Sequence, residues 1–222
     1  YQLTAAQQRV VAEIRADMAD PHPMLRLVQG DVGSGKTVVA ALTALAVIAG
    51  GGQVALMAPT ELLAEQHARS FAAWFAGLGI ETVFLSGKLG AVGRRHALQR
   101  IQAGAPMVIG THALMQDHVR YAKLELVIID EQHRFGVDQR LSLRDKGERE
   151  MVSPHQLILT ATPIPRTLAM SAYADLDVSI IDELPPGRTP VQTVALANSR
   201  RDEVISRIQD YCRQGHQVYW VC

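Results

Sequence analysis

Short apolar runs alternate along this chain with longer segments whose apolar residues recur every three or four positions. Residues 4–18 place Ala5, Val10, Val11, Ile14 and Met18 at helical spacing, with Thr4 as N-cap and Asp20-Pro21-His22-Pro23 as terminator. Strands are predicted at 25–29, 54–57, 83–85, 107–109, 126–129, 157–159 and 178–181, and helices at 38–49, 61–76, 94–103 and 166–173. The strands are apolar on both faces and most are followed by a helix. This is an α/β pattern: a mostly parallel sheet covered by helices on both faces.

The pattern breaks at Leu184-Pro185-Pro186-Gly187-Arg188-Thr189-Pro190, where three prolines and a glycine can neither continue a helix nor sit inside a sheet. A first domain over 1–184, a linker over 185–190 and the start of a second domain over 191–222 follow from that break. In the last segment 191–196 reads as a strand, 200–213 as a helix and 218–221 as a strand. A lone β-α-β unit has open edges and little core, so it is expected to be a truncated part of a second domain.

Composition narrows the function classes. The 222 residues balance 22 basic against 22 acidic side chains, so any polyanion site must be built locally from loops and helix ends. Cys212 and Cys222 are the only cysteines and lie outside any C-x-x-C or Cys/His cluster. That argues against structural zinc or a disulfide framework and for a reducing cytoplasm. The longest apolar stretch, 38–49, is too short to span a bilayer, and no basic-then-apolar leader precedes the first helix, so a soluble protein without membrane association is expected.

Chemistry concentrates at two strand ends. Gly30-Asp31-Val32-Gly33-Ser34-Gly35-Lys36-Thr37 joins a buried strand to an Ala-rich helix and fits G-x-x-x-x-G-K-[ST]. Gly33 and Gly35 lack the Cβ that would hold backbone N–H groups away from phosphate oxygens, and both tolerate positive φ. Lys36 brings a point charge to the β and γ phosphates, and the Thr37 hydroxyl suits one coordination position on Mg²⁺. A plain turn needs one or two glycines and makes no demand for Gly-Lys-Thr at a helix start. After the fifth strand, Asp130 is placed to hold Mg²⁺ and Glu131 to direct water at the γ phosphate; the same pair is also a fair helix N-cap.

Four strings in order sharpen this: GDVGSGKT at 30–37, APTELL at 58–63, DEQH at 130–133 and TATP at 160–163. Together they resemble the first motor domain of superfamily 2 helicases, and DEQHRFGVDQR at 130–140 with TATPIPRTLAM at 160–170 is similar to the RecG family within it. Mfd-like transcription-repair translocases share the P-I-P-R-T segment, although Gln132 leans toward RecG, and PriA-like motors are more distant. The resemblance covers essentially the whole chain. It implies a RecA-like P-loop NTPase, a second RecA-like domain beginning at 191, and an ATP-hydrolysing DNA motor. It further implies ATP and Mg²⁺ as cofactors, branched DNA such as stalled forks and Holliday junctions as partner, roles in repair and recombination, and a monomer in the cytoplasm.

Family roles carry over residue by residue. Gln7 stands where a glutamine reads the adenine; otherwise it is an exposed helix-surface residue. Pro59-Thr60 and Thr111-His112 match motifs that touch the DNA backbone, and either threonine is equally an N-cap. Thr160 and Thr162 match the motif coupling hydrolysis to domain movement. His133 would bridge that motif to the nucleotide, unless it is simply a buried, satisfied histidine. Arg166, after Pro165, is within reach of either DNA or the partner domain by the same resemblance, which assigns it no role. The transition-state arginines and the junction-binding wedge of such motors have no counterpart here, so this segment alone is expected to bind ATP weakly and hydrolyse it slowly.

The remaining candidates read as structure. His67, His96, His118, His155 and His216 lie singly, without ligand spacing, as surface or satisfied core groups. Phe71, Trp74 and Phe75 share helical spacing, and Arg94, Arg95 and Arg100 form either a basic face or a solvated one. Two other classes stay open: a nucleotide-dependent switch without translocation, and a non-motor nucleic-acid module, which neutral charge and the lack of an aromatic stripe disfavour.

Overall fold

The computed structural model describes residues 2–131, 153–162, 176–183 and 191–221. The chain divides into two compact units, residues 1–186 and 187–222. In the first, α1 (Ala5–Met18), β1 (Leu25–Gly30), α2 (Lys36–Ala49), β2 (Gln53–Met57), α3 (Glu61–Ala76) and β3 (Thr82–Leu85) are followed by α4 (Ala91–Gln102) and β4 (Met107–Gly110). A short 3₁₀ turn (His112–Met115), β5 (Leu124–Asp130), β6 (His155–Thr160) and β7 (Asp177–Ile181) complete it.

The seven strands form one sheet in the order β3-β4-β2-β5-β6-β1-β7, and every pairing is parallel. Parallel strands bring all their carboxyl ends to one rim, so the residues after β1, β5 and β6 share an edge. β6 lies between the other two, with Gln29 level with Thr160 and Asp130 level with Leu159.

Alternation within the strands explains the two covered faces. Val54 and Leu56 of β2 and Leu126 and Ile128 of β5 join one apolar cluster with α1, α2 and Phe71 and Phe75 of α3. Ala55, Met57, Val127 and Ile129 point the other way, into a cluster with Ala97 and Ile101 of α4 and the 3₁₀ turn. Leu56 and Ile109 are fully enclosed, and truncating such a side chain to alanine costs about 2–5 kcal/mol.

Polar residues fix the joints. Thr4 Oγ1 accepts from the Gln7 N–H and Gln7 Oε1 accepts from the Thr4 N–H, a reciprocal cap that starts α1. Gln53, inside the sheet, donates from Nε2 to the carbonyls of Ile101 and Ala105 while Oε1 accepts from the Ala122 and Lys123 N–H groups. That uses the full capacity of its amide and pins the end of α4 to the entry of β5.

The parallel sheet expected from the sequence is present, with element ends shifted by a few residues; α2 starts at Lys36 and α4 at Ala91. The predicted helix over 166–173 and the proline-rich linker over 185–190 lie outside the described residues. In the second unit the predicted helix is α5 (Arg201–Arg213). The predicted strands at 191–196 and 218–221 carry no ladder, because a strand needs a neighbour to exchange hydrogen bonds with and neither run has one among the described residues.

Candidate nucleotide site

The loop between β1 and α2 is built for close approach. Gly33 (φ 81°) and Gly35 (φ 92°) both occupy the left-handed region, and Gly35 caps α2 with no side-chain bond. A Cβ on Gly35 would meet Gln7 Nε2 at 2.2 Å, and one on Gly30 would meet Ser34 Oγ at 2.5 Å. Asp31 and Val32 are exposed, while Ser34 is buried and its hydroxyl has no partner among the described residues. The Val38 and Val39 N–H groups close on the Gly35 carbonyl, so those of Lys36 and Thr37 ahead of them have no helical acceptor. An unspent run of N–H groups at the positive end of a helix, lined by glycine, fits a phosphate.

Lys36 Nζ donates to the carbonyls of Gly30 at 2.6 Å and Asp31 at 2.9 Å, which folds the ammonium over the loop. Burial lowers its pKa from the ordinary lysine value, while Glu131, Asp130 and Asp31 pull in the opposite direction. Those three carboxylates therefore act on one cation. Lys36 follows β1 and Asp130 and Glu131 close β5, so residues distant in sequence share the carboxyl rim of the sheet. Thr37 is half-buried in the first turn of α2.

At the end of β5, Glu131 takes a left-handed backbone (φ 52°), uncommon for a residue with a side chain. Its N–H donates to the Leu159 carbonyl at 2.9 Å, and its Oε1 accepts from the Ala161 N–H at 3.3 Å. The second carboxylate of the D-E pair thus holds the Thr160-Ala161-Thr162 turn, a link the sequence assigned to His133. His133 lies outside the described residues, as does Arg166. The turn is also closed on itself, since Thr160 Oγ1 accepts from the Thr162 N–H at 3.1 Å. A cleft of about 180 Å³ runs from Gly30 and Ser34 to Ala161 and Ile181.

Gln7 is buried, which replaces the exposed alternative. Its Nε2 donates to the Ser34 carbonyl at 2.8 Å. Thr60 is exposed and its Oγ1 accepts from the Leu63 N–H at 3.3 Å, so it caps α3; Pro59 beside it is half-buried. Thr111 is buried and makes no side-chain cap, whereas His112 is exposed.

One contact was missed from sequence. His67 Nε2 lies 2.7 Å from Asp130 Oδ2, with both side chains largely enclosed. Its signal was positional: His67 shares the buried face of α3 with Ala64, Phe71 and Phe75 at helical spacing.

Comparison with known proteins agrees with this geometry. The DEAD/DEAH box helicase family model matches residues 4–171. The chain is 60% identical over its whole length to the ATP-dependent DNA helicase RecG of Haemophilus influenzae and 62% identical to that of Escherichia coli K12, spanning 32% of each. A RecG structure solved on a three-way DNA junction superposes with a TM-score of 0.84 at 42% identity, covering 98% of this chain and 29% of that one. The chain therefore spans about a third of the length of these relatives. It belongs to the DEAD/DEAH box helicase family, is RecG-like, and carries the nucleotide-binding fold of a P-loop NTPase.

Proposed function

We propose that this chain is the ATP-binding half of a DNA motor that translocates on branched DNA, with residues 191–222 opening the second motor domain. The observation that carries the reading is the placing of Lys36 after β1 and of Asp130 and Glu131 at the end of β5 on one rim of the parallel sheet, with Glu131 tied to the Thr160–Thr162 turn. The loop from Gly30 to Thr37 would cradle the phosphates of ATP, Lys36 would answer their charge, and Thr37 and Asp130 would hold Mg²⁺. Bound there, Mg²⁺ supplies charge neutralisation to the leaving phosphates.

Glu131 would orient the attacking water and accept its proton as the γ phosphate departs. Loss of that phosphate changes what Glu131 faces, and its bond to the Ala161 N–H carries the change into the turn that couples hydrolysis to movement. Gln7 would add adenine recognition. Thr60 at the start of α3, Pro59 beside it and His112 after β4 lie at the carboxyl rim and would meet a nucleic-acid backbone there, with buried Thr111 supporting the turn from within. The DNA-junction partner of the RecG structure and the 60–62% identity to RecG helicases support branched DNA over linear duplex or RNA. Among the described residues no helix is long and apolar enough to cross a membrane.

The test is the ATPase rate of the complete protein on a three-way junction, a linear duplex and RNA. The reading expects the junction to stimulate most, and equal stimulation by RNA would remove it.

A further inference from the structure

Asp130 holds its place through a side chain from another element. His67, on α3, approaches Asp130 Oδ2 with Nε2 at 2.7 Å, and both side chains are close to nine-tenths enclosed. A carboxylate only accepts, so the pair places the proton on Nε2. The imidazole is itself braced one turn on by Phe71, whose ring meets it edge-on at 6.5 Å and 77°. Phe71 is fully buried, which leaves the imidazole little freedom to turn away. Among the described residues Asp130 Oδ1 has no hydrogen-bond partner, so the bond from His67 selects which oxygen is left for other work.

We propose that His67 is the positioning residue for the metal-holding carboxylate, and that α3 thereby connects the DNA-facing rim to the nucleotide. The inference rests on the assignments of Asp130 to Mg²⁺ and of Thr60 to the nucleic-acid backbone made above. Thr60, exposed at the cap of α3, and His67 lie seven residues apart, about 10 Å along one continuous helix. A displacement of α3 by a strand at its N-terminus therefore moves the donor that orients Asp130. Partners of this kind, one bond removed from the metal, typically change metal affinity or activity by about 10- to 100-fold when lost.

The experiment uses the full-length protein with a non-hydrolysable ATP analogue and Mn²⁺ as the paramagnetic probe. His67→Leu removes the donor; His67→Gln keeps an amide N–H at the reach of Nε2. Mn²⁺ affinity is expected to fall about 10- to 100-fold in H67L and to return to within about threefold of wild type in H67Q, while analogue binding in EDTA is the same in all three. A merely structural role would weaken analogue binding without metal as well, and would not be restored by the amide. The inference is overturned if H67L binds Mn²⁺ as wild type does, or if H67Q is as weak as H67L. Asp130→Asn separates the two layers: should it leave Mn²⁺ affinity intact, the metal assignment itself fails and takes this inference with it. A thermal midpoint for each variant keeps H67Q decisive if H67L folds poorly.

Discussion

The side-chain amide of Gln7 donates to the carbonyl of Ser34 at 2.8 Å, joining the first turn of α1 to the phosphate loop in a buried position. The same amide accepts from the Thr4 N–H to cap α1. One residue therefore starts a helix and fixes the loop that follows a different strand. Each amide atom has spent half its capacity, leaving one donor and one acceptor.

That remaining pair is enough to read an adenine edge, so Gln7→Ala should do two things. It leaves the buried Ser34 carbonyl unpaired, a cost of about 1–3 kcal/mol, and lowers the thermal midpoint. ATP affinity should drop by about tenfold or more, and GTP affinity should drop as well, because the loop loses its support whichever base is bound. Nucleotide titrations with calorimetry check this. Weakened ATP binding beside unchanged GTP binding would make the Ser34 bond idle and Gln7 a base reader only.

Gly35→Ala should be the most damaging small change in the loop. The new Cβ would fall 2.2 Å from Gln7 Nε2 on a backbone with φ 92°. The left-handed conformation costs about 1–2 kcal/mol and the collision displaces Gln7. Loss of measurable ATP binding and a lower thermal midpoint are expected. Gly77→Ala is the control, since φ is −67° there and nothing lies within 4 Å of the added methyl. Its midpoint should match wild type.

Glu131→Gln separates charge from scaffold. The glutamine retains an Oε1 to accept from the Ala161 N–H, so the turn stays in place while the carboxylate is gone. Removing a general base costs about 100- to 10,000-fold in turnover, and ATP binding should stay within about threefold of wild type. Steady-state ATPase assays on the full-length protein decide it. Retained turnover would favour a nucleotide switch that cycles without directed hydrolysis.

The phosphate loop was legible because its sequence answers a local demand: glycines at positive φ, then lysine at a helix start. The parallel sheet was legible for a similar reason, since strands buried on both faces read as apolar runs. His67 escaped because its partner, Asp130, is 63 residues away and no local pattern marks such a pair. Gln7 was singled out by its place in Leu3-Thr4-Ala5-Ala6-Gln7, yet its burial and its bond to Ser34 depend on how α1 packs. The runs at 191–196 and 218–221 have strand-like apolar and β-branched composition, but composition supplies only propensity, and a ladder requires a neighbour.

His155 gives the fold a pH dependence of known sign. It begins β6, at the rim opposite the nucleotide loop, and its Nδ1 accepts from the Met24 N–H at 2.9 Å. Protonating Nδ1 would break that bond. Burial lowers the folded pKa below the ordinary value of 6.5, with Glu125 and Asp17 pulling weakly the other way. The unfolded chain therefore takes the proton first, and stability from this group is complete above the unfolded pKa and is lost as pH falls through the folded one. His155→Asn keeps an acceptor for Met24 and removes the titration. Between about pH 7.5 and about pH 5 the thermal midpoint should fall more in wild type than in H155N, and the difference should close above about pH 7. Parallel curves across that range would mean that another group carries the acid sensitivity.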